Sequence, residues 1–74
     1  MKLTLYGAQG CHLCDEARAM LESAGVHAEH VDIANDDELF ARYGMRIPVL
    51  VRMDGTELGW PFDQPMLAQF LQIR

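Results

Sequence analysis

Cys11 and Cys14 are the two cysteines of the chain, separated by His12 and Leu13. Thiols at this spacing can close a disulfide with little movement of the backbone. Before them, Leu3-Thr4-Leu5-Tyr6 reads as a short apolar strand and Gly7-Ala8-Gln9-Gly10 as a turn. From Asp15 to Ala24 the apolar spacing becomes helical. The pair therefore sits at a strand-to-helix junction, where the unpaired N–H groups of the helix start carry partial positive charge. Negative charge is favoured there, and the thiolate is the species that attacks a disulfide. The chemistry these residues point to is thiol–disulfide exchange, begun by Cys11.

Other uses of the same residues compete with it. A stabilising disulfide over so short a ring would gain little loop entropy. A structural zinc needs four ligands, and the chain offers two cysteines and three histidines. His27 and His30 are expected on opposite faces of a strand, where they could not converge on one ion. An iron–sulfur cluster held between two chains through Cys11 is the metal-binding alternative. A non-catalytic interaction domain is the third reading. His12 could support a Cys11 thiolate, but the helix dipole disfavours an imidazolium in the first turn, so an exposed, neutral ring is expected. Asp15 and Glu16 favour the helix start yet oppose a nearby thiolate. Only a moderately lowered Cys11 pKa is expected.

Seventy-four residues make one domain, 1–74, near the lower end of what folds without a staple. Half the residues are hydrophobic, enough for a core between a sheet and its helices. The net charge of −5 and the scatter of the six basic residues argue against nucleic acid as a partner. Arg46 and Arg52 could still form a small local patch near the cysteines. No apolar run of about 20 residues is present, so no membrane association is expected. Met1 leads straight into a strand rather than a basic and then apolar leader. The expectation is a cytoplasmic monomer, and in that compartment a persistent structural disulfide is unusual.

The elements that must position the cysteines follow in order. Lys2 to Tyr6 is expected as a central strand. A first helix buries a stripe of Leu13, Ala17, Met20, Leu21 and Ala24, with Cys14 facing partly inward, and Gly25 ends it. His27 to Ile33 is a second strand, parallel to the first because a helix connects them. Asn35 caps a short second helix with Glu38 three residues on; Leu39, Phe40 and Tyr43 face inward and Gly44 ends it. Pro48 to Met53 is a third strand, Asp54-Gly55 a two-residue hairpin turn, and Thr56 to Trp60 an antiparallel fourth strand. Asp63 caps the last helix, with Pro65 in its first turn and Met66, Leu67, Phe70, Leu71 and Ile73 inward. The order βαβαββα gives an α/β fold: a four-stranded mixed sheet with helices on both faces.

A Cys-x-x-Cys beside a βαβ unit is a thioredoxin-like redox signature. The stretch Leu5-Tyr6-Gly7-Ala8-Gln9-Gly10-Cys11-His12-Leu13-Cys14-Asp15-Glu16-Ala17, with Ile47-Pro48-Val49 much later, resembles the glutaredoxin-like branch of the thioredoxin fold. The resemblance implies a thioredoxin-like, glutaredoxin-type fold and a small thiol–disulfide oxidoreductase. Cys11 would attack and Cys14 resolve. Pro48 would follow a cis bond and pack opposite the cysteines, leaving the Ile47 backbone to pair with an extended substrate. Tyr6, His12, Trp60 and, through a Gly-Gly-x-x-Asp motif, Gly59 and Asp63 would line the substrate groove. For Tyr6, ordinary packing is the stronger expectation. No bound organic cofactor is implied beyond the redox-active cysteine pair. Partners would be protein or small disulfides, with glutathione, a dithiol protein or a flavoprotein reductase as electron source. Two departures weigh against glutathione: Ala8, Gln9 and Gly10 are uncharged where the family carries a basic residue, and Trp60 fills the second glycine position.

Overall fold

The computed structural model describes residues 3–72. The chain forms β1 (Leu3–Gly7), α1 (His12–Ser23), β2 (Glu29–Asp32), a 3₁₀ turn (Ile33–Asn35), α2 (Asp37–Tyr43), β3 (Val49–Arg52), β4 (Glu57–Gly59) and α3 (Gln64–Leu71). The strands make one sheet in the order β2-β1-β3-β4. β1 runs parallel to β2 and antiparallel to β3, and β4 is antiparallel to β3. The expected mixed α/β architecture is the one present.

Side-chain alternation along the two central strands builds a core on each face of this sheet. Leu3, Leu5 and Leu50 face one side, where Ala17 and Leu21 of α1 and Leu67 and Phe70 of α3 cover them together with Phe62. Val49, Val51 and Tyr6 face the other, against Ile33, Leu39 and Tyr43. Leu50 is fully buried at the centre, a burial that contributes about 1.5–3 kcal/mol for a side chain of this kind. Two helices thus lie on one face, and α2 with the 3₁₀ turn on the other.

Several local expectations change. Residues 2 and 73, assigned to β1 and to the inner face of α3, lie outside the described residues. β2 starts at Glu29, so His27 precedes it. Beyond Asp32 the chain tightens into the 3₁₀ turn, capped by the Asp32 carboxylate on the Ala34 N–H at 2.8 Å. Asn35 is used inside that turn, and Asp36 caps α2 instead, accepting from the N–H groups of Glu38 and Leu39. α2 has only seven residues, so it buries the i,i+4 pair Leu39 and Tyr43 while Phe40 stands 58% exposed. In α1 the buried stripe is Cys14, Ala17 and Leu21; Leu13 and Ala24, at its two ends, face solvent. The hairpin turn has three residues, Met53 to Gly55, because Arg52 pairs with Thr56 and Gly55 takes φ +91°. That is the geometry of a type I turn closed by a left-handed glycine. Gly25 at φ +71°, Gly44 as the α2 cap and Asp63 as the α3 cap stand as the sequence indicates.

Candidate active site

One end of the sheet gathers the chemistry. β1 ends there at Gly7, β3 begins there after Pro48, β4 ends there at Gly59, and α1 and α3 both start there. The turn into α1 closes with the Cys11 N–H on the Ala8 carbonyl at 3.2 Å, and Gly10 supplies the φ of +81° it needs. Cys11 is the N-cap residue of α1, in extended conformation, and its Sγ accepts a hydrogen bond from the Cys14 N–H at 3.1 Å. A sulfur thus stands where a serine or aspartate oxygen usually caps a helix. Cys11 and Cys14 are joined as a disulfide with Cα atoms 5.2 Å apart. Cys14 is 5% exposed and Cys11 half-buried.

Gly7 explains how Cys14 can sit so deep. A Cβ at this position would meet the Cys14 Sγ at 3.0 Å and its Cβ at 3.3 Å. The missing side chain lets β1 pass directly beneath the buried sulfur. In the β1–β3 register, one step beyond the Tyr6–Val49 pair places Pro48 across from Gly7. Pro48 and Gly7 alternate onto the same face as Leu50 and Leu5, which is the face of α1. Pro48 is buried, and the Ile47–Pro48 bond is cis.

The remaining groove candidates are engaged locally. The Ile47 N–H donates to the Tyr43 carbonyl at 3.1 Å, so of the backbone edge expected for docking the carbonyl alone is left free among the described residues. The Pro48 carbonyl accepts from the Trp60 N–H at 3.2 Å, extending the β3–β4 ladder. Trp60 is half-buried against the α1/α3 core, edge-to-face with Phe62 at 5.0 Å, and a second cis bond follows it at Pro61. Tyr6 stacks on Tyr43 at 4.8 Å, on the α2 face of the sheet, so its ring belongs to packing rather than to a groove on the α1 side. Gly59 is exposed, opposite Val49. The Asp63 carboxylate caps α3 through the Met66 N–H at 2.9 Å. His12 is largely exposed and turns along the helix, with its Nε2 3.2 Å from Glu16. Among the described residues no three His, Cys, Asp or Glu side chains gather where they could hold one metal ion.

The basic patch that Arg46 and Arg52 could have made does not form. Arg52 lies at the far end of the sheet, bound to Asp54, Thr56 and the Phe70 carbonyl. Arg46 does precede the cis bond, but its guanidinium donates to Glu57 at 2.7 Å. Glu57 also accepts from the Tyr43 hydroxyl at 2.7 Å. These contacts tie the loop before Pro48 to β4. They hold the Glu57 carboxyl below its usual range, the Tyr43 hydrogen bond first and Arg46 next, while burial and Glu57 push the Tyr43 phenol up. A depressed acid contributes stability above the usual glutamate range and loses it as pH falls through the lowered value. The Tm advantage of the native chain over Glu57→Gln is therefore expected to shrink on acidification. A Tm difference independent of pH would show that the carboxylate charge does nothing for the loop.

A cleft of about 250 Å³ lies between α1 and β2 and reaches Cys14, but neither Cys11 nor Pro48 nor Trp60 lines it. A second, of about 250 Å³, lies further along α1 and has both His27 and His30 on its wall, which corrects the expectation of opposite faces. His27 stands before the strand rather than in it.

Comparison with known proteins places this arrangement. The family described as Glutaredoxin-like domain (DUF836) matches residues 2–72. The chain belongs to the glutaredoxin-like domain family. Its fold is similar to the X-ray structure of protein XcR50 from X. campestris, with 46% identity over 93% of each chain and a TM-score of 0.88. The solution structure of the same protein gives 44% identity over 96% of this chain and 92% of that one, at a TM-score of 0.86. Protein Ne2328 from Nitrosomonas europaea, solved by NMR, is 32% identical over 95% and 89% of the chains, at a TM-score of 0.81. No curated protein matches. In this glutaredoxin-like domain the Cys-x-x-Cys pair occupies the start of α1 in a thioredoxin-like fold. Among the described residues no helix is long and apolar enough to cross a membrane.

Sequence reasoning did not single out Gly7, the Tyr43–Glu57–Arg46 link, the second cis bond or the cleft beside Cys14. Gly7 alone had a local signal, as a glycine closing the strand ahead of the turn.

Proposed function

We propose that the chain is a small thiol–disulfide oxidoreductase in which Cys11 attacks and Cys14 resolves. The observation that carries this reading is the Cys11 sulfur at the N-cap of α1, hydrogen-bonded by the Cys14 N–H at 3.1 Å, beside a Cys14 that is 5% exposed. A helix N-terminus and an aimed N–H stabilise negative charge on that sulfur, and exposure makes it the thiol a substrate meets. The Cys11 thiolate attacks one sulfur of a substrate disulfide. That S–S bond breaks, its electron pair leaves on the second substrate sulfur as a thiolate, and a mixed disulfide forms. The Cys14 thiolate then attacks the Cys11 sulfur and expels the first substrate sulfur. Two electrons have passed to the substrate, and the protein holds the Cys11–Cys14 disulfide.

A dithiol protein, a flavoprotein reductase or a small thiol would return the two electrons. Glutathione is the weakest of these candidates, since residues 8–10 carry no positive charge and Arg46 and Arg52 are already paired. The Ile47 carbonyl beside the cis Pro48 is the backbone acceptor that a docked substrate strand would find. The reading is of a cytoplasmic chain acting alone on protein or small disulfides, with no bound cofactor.

Limiting iodoacetamide tests the assignment of roles. With the reduced protein, peptide mapping is expected to find Cys11 alkylated first and Cys14 only after unfolding. Labelling of Cys14 first would reverse the roles. A coloured protein with an iron–sulfur absorbance on purification would replace the reading with a metal-binding one.

A further inference from the structure

The cleft beside Cys14 carries acidic and basic side chains on both walls, sorted into two layers. In the β1–β2 register Asp32 pairs with Gly7, and His30 pairs with Leu5 two residues further from the cysteine end. At about 3.3 Å per strand residue, His30 lies about 6.6 Å below Asp32. On the facing helix, Asp15 stands in the first turn and Arg18 three residues on, about 4.5 Å lower at 1.5 Å per residue. All four residues line the cleft. Two acids thus face each other near the cysteines, and two bases face each other one layer down.

Neither layer is closed by an ion pair among the described residues. Arg18 forms no ion pair among the described residues, and Asp15 accepts no hydrogen bond among them. Asp32 uses one oxygen on the Ala34 N–H and keeps the other. Burial and the nearby Arg18 charge lower the basicity of His30, with a smaller opposing effect from Glu22 on the next turn of α1. Glu22 is the acid beside these two bases, and it forms no ion pair with either of them among the described residues.

We propose that this cleft binds a small zwitterion of amino-acid size, with its carboxylate on Arg18 and His30 and its ammonium on Asp15 and Asp32. A ligand of single charge would satisfy one layer and leave the other facing it with like charge. The volume of about 250 Å³ lies just under the usual range of small-molecule pockets, roughly 300–1,000 Å³, and suits an amino acid rather than a longer peptide. The site lies on the β2 side of Cys14, away from the groove at Pro48, and stands independently of the thiol chemistry proposed above.

Amide spectra of the full-length oxidised protein, titrated with β-alanine and separately with propionate and with propylamine, test the proposal. β-Alanine is expected to give saturable shifts at Gly7, Arg18 and Val31, at concentrations at least tenfold below either single-charge probe. Arg18→Gln is expected to raise the apparent Kd about 10- to 150-fold, the loss of one charged hydrogen bond, and Asp15→Asn to raise it as well. Both positions are exposed, and the same spectra report whether each variant is folded. Should either variant unfold, the three-probe comparison on the native chain decides alone. Equal response to the single-charge probes, shifts elsewhere on the fold, or unchanged binding by a folded Arg18→Gln would overturn the site.

Discussion

Serine at position 11 is expected to lower disulfide reduction by on the order of 10³-fold or more, while serine at position 14 leaves the first half of the reaction intact. The asymmetry follows from where the two sulfurs stand. Cys11 caps α1 and meets solvent, whereas Cys14 is 5% exposed above Gly7. A serine hydroxyl is scarcely ionised at neutral pH and cannot form the mixed disulfide, so the loss belongs to the chemical step. Cys14→Ser retains the attacking thiolate but has nothing to displace the substrate. It should accumulate a mixed disulfide at Cys11, visible as a mass increase that dithiothreitol removes. The reverse pattern, with adducts on Cys11→Ser and none on Cys14→Ser, would transfer the attacking role to the buried thiol.

Alanine at position 7 is expected to make the Cys11–Cys14 pair more oxidising. The added methyl group would lie 3.0 Å from the Cys14 Sγ, closer than ordinary carbon–sulfur contact. In the disulfide form that sulfur is tethered to Cys11 and cannot turn aside; reduction removes the tether and restores rotation about the Cys14 Cα–Cβ bond. The crowding therefore falls mainly on the oxidised state. Overpacking of a buried contact costs about 1–3 kcal/mol, and at about 1.4 kcal/mol per 30 mV for a two-electron couple the potential should rise by roughly 20–60 mV. Equilibration against a dithiothreitol redox buffer measures the change. An unaltered potential in a folded Gly7→Ala protein would mean that β1 yields to the methyl group, and that Gly7 does not set the position of the pair.

The parts that the sequence made legible are those written in neighbouring residues. The Cys-x-x-Cys pair, the capping role of Asp63 and the alternation of Val49, Leu50 and Val51 are all local patterns. Where one stretch offered several solutions, the reading erred by a residue or two. Asp32-Ile33-Ala34-Asn35-Asp36 contains three residues able to cap a helix, and two successive caps are used, Asp32 for the 3₁₀ turn and Asp36 for α2. The hairpin differs by one residue because Gly55 closes the turn in left-handed conformation, which Asp-Gly permits in more than one loop length. Leu13 obeys helical spacing yet is exposed in the first turn of α1, while its neighbour Cys14 is buried. Charge partners were the least legible. Arg46 meets Glu57 across eleven positions, and Arg18 and His30 come to line one cleft across the α1–β2 connection; neither placement has any signature until the strands are in register.

The course of β3 has a practical consequence. The strand begins beside the cis Pro48 and carries the chain away from the cysteines to Arg52, where Met53, Asp54 and Gly55 turn back in solvent. The Arg52 side chain fastens this turn to Asp54, Thr56 and the end of α3, so the pole remote from the chemistry is anchored on its own account. Met53, 73% exposed, projects from that pole. It is the place to attach a fluorophore or splice in an affinity peptide, as exposed loop tips tolerate such additions. A handle there would follow or immobilise the protein while the end that carries Cys11 stays uncovered.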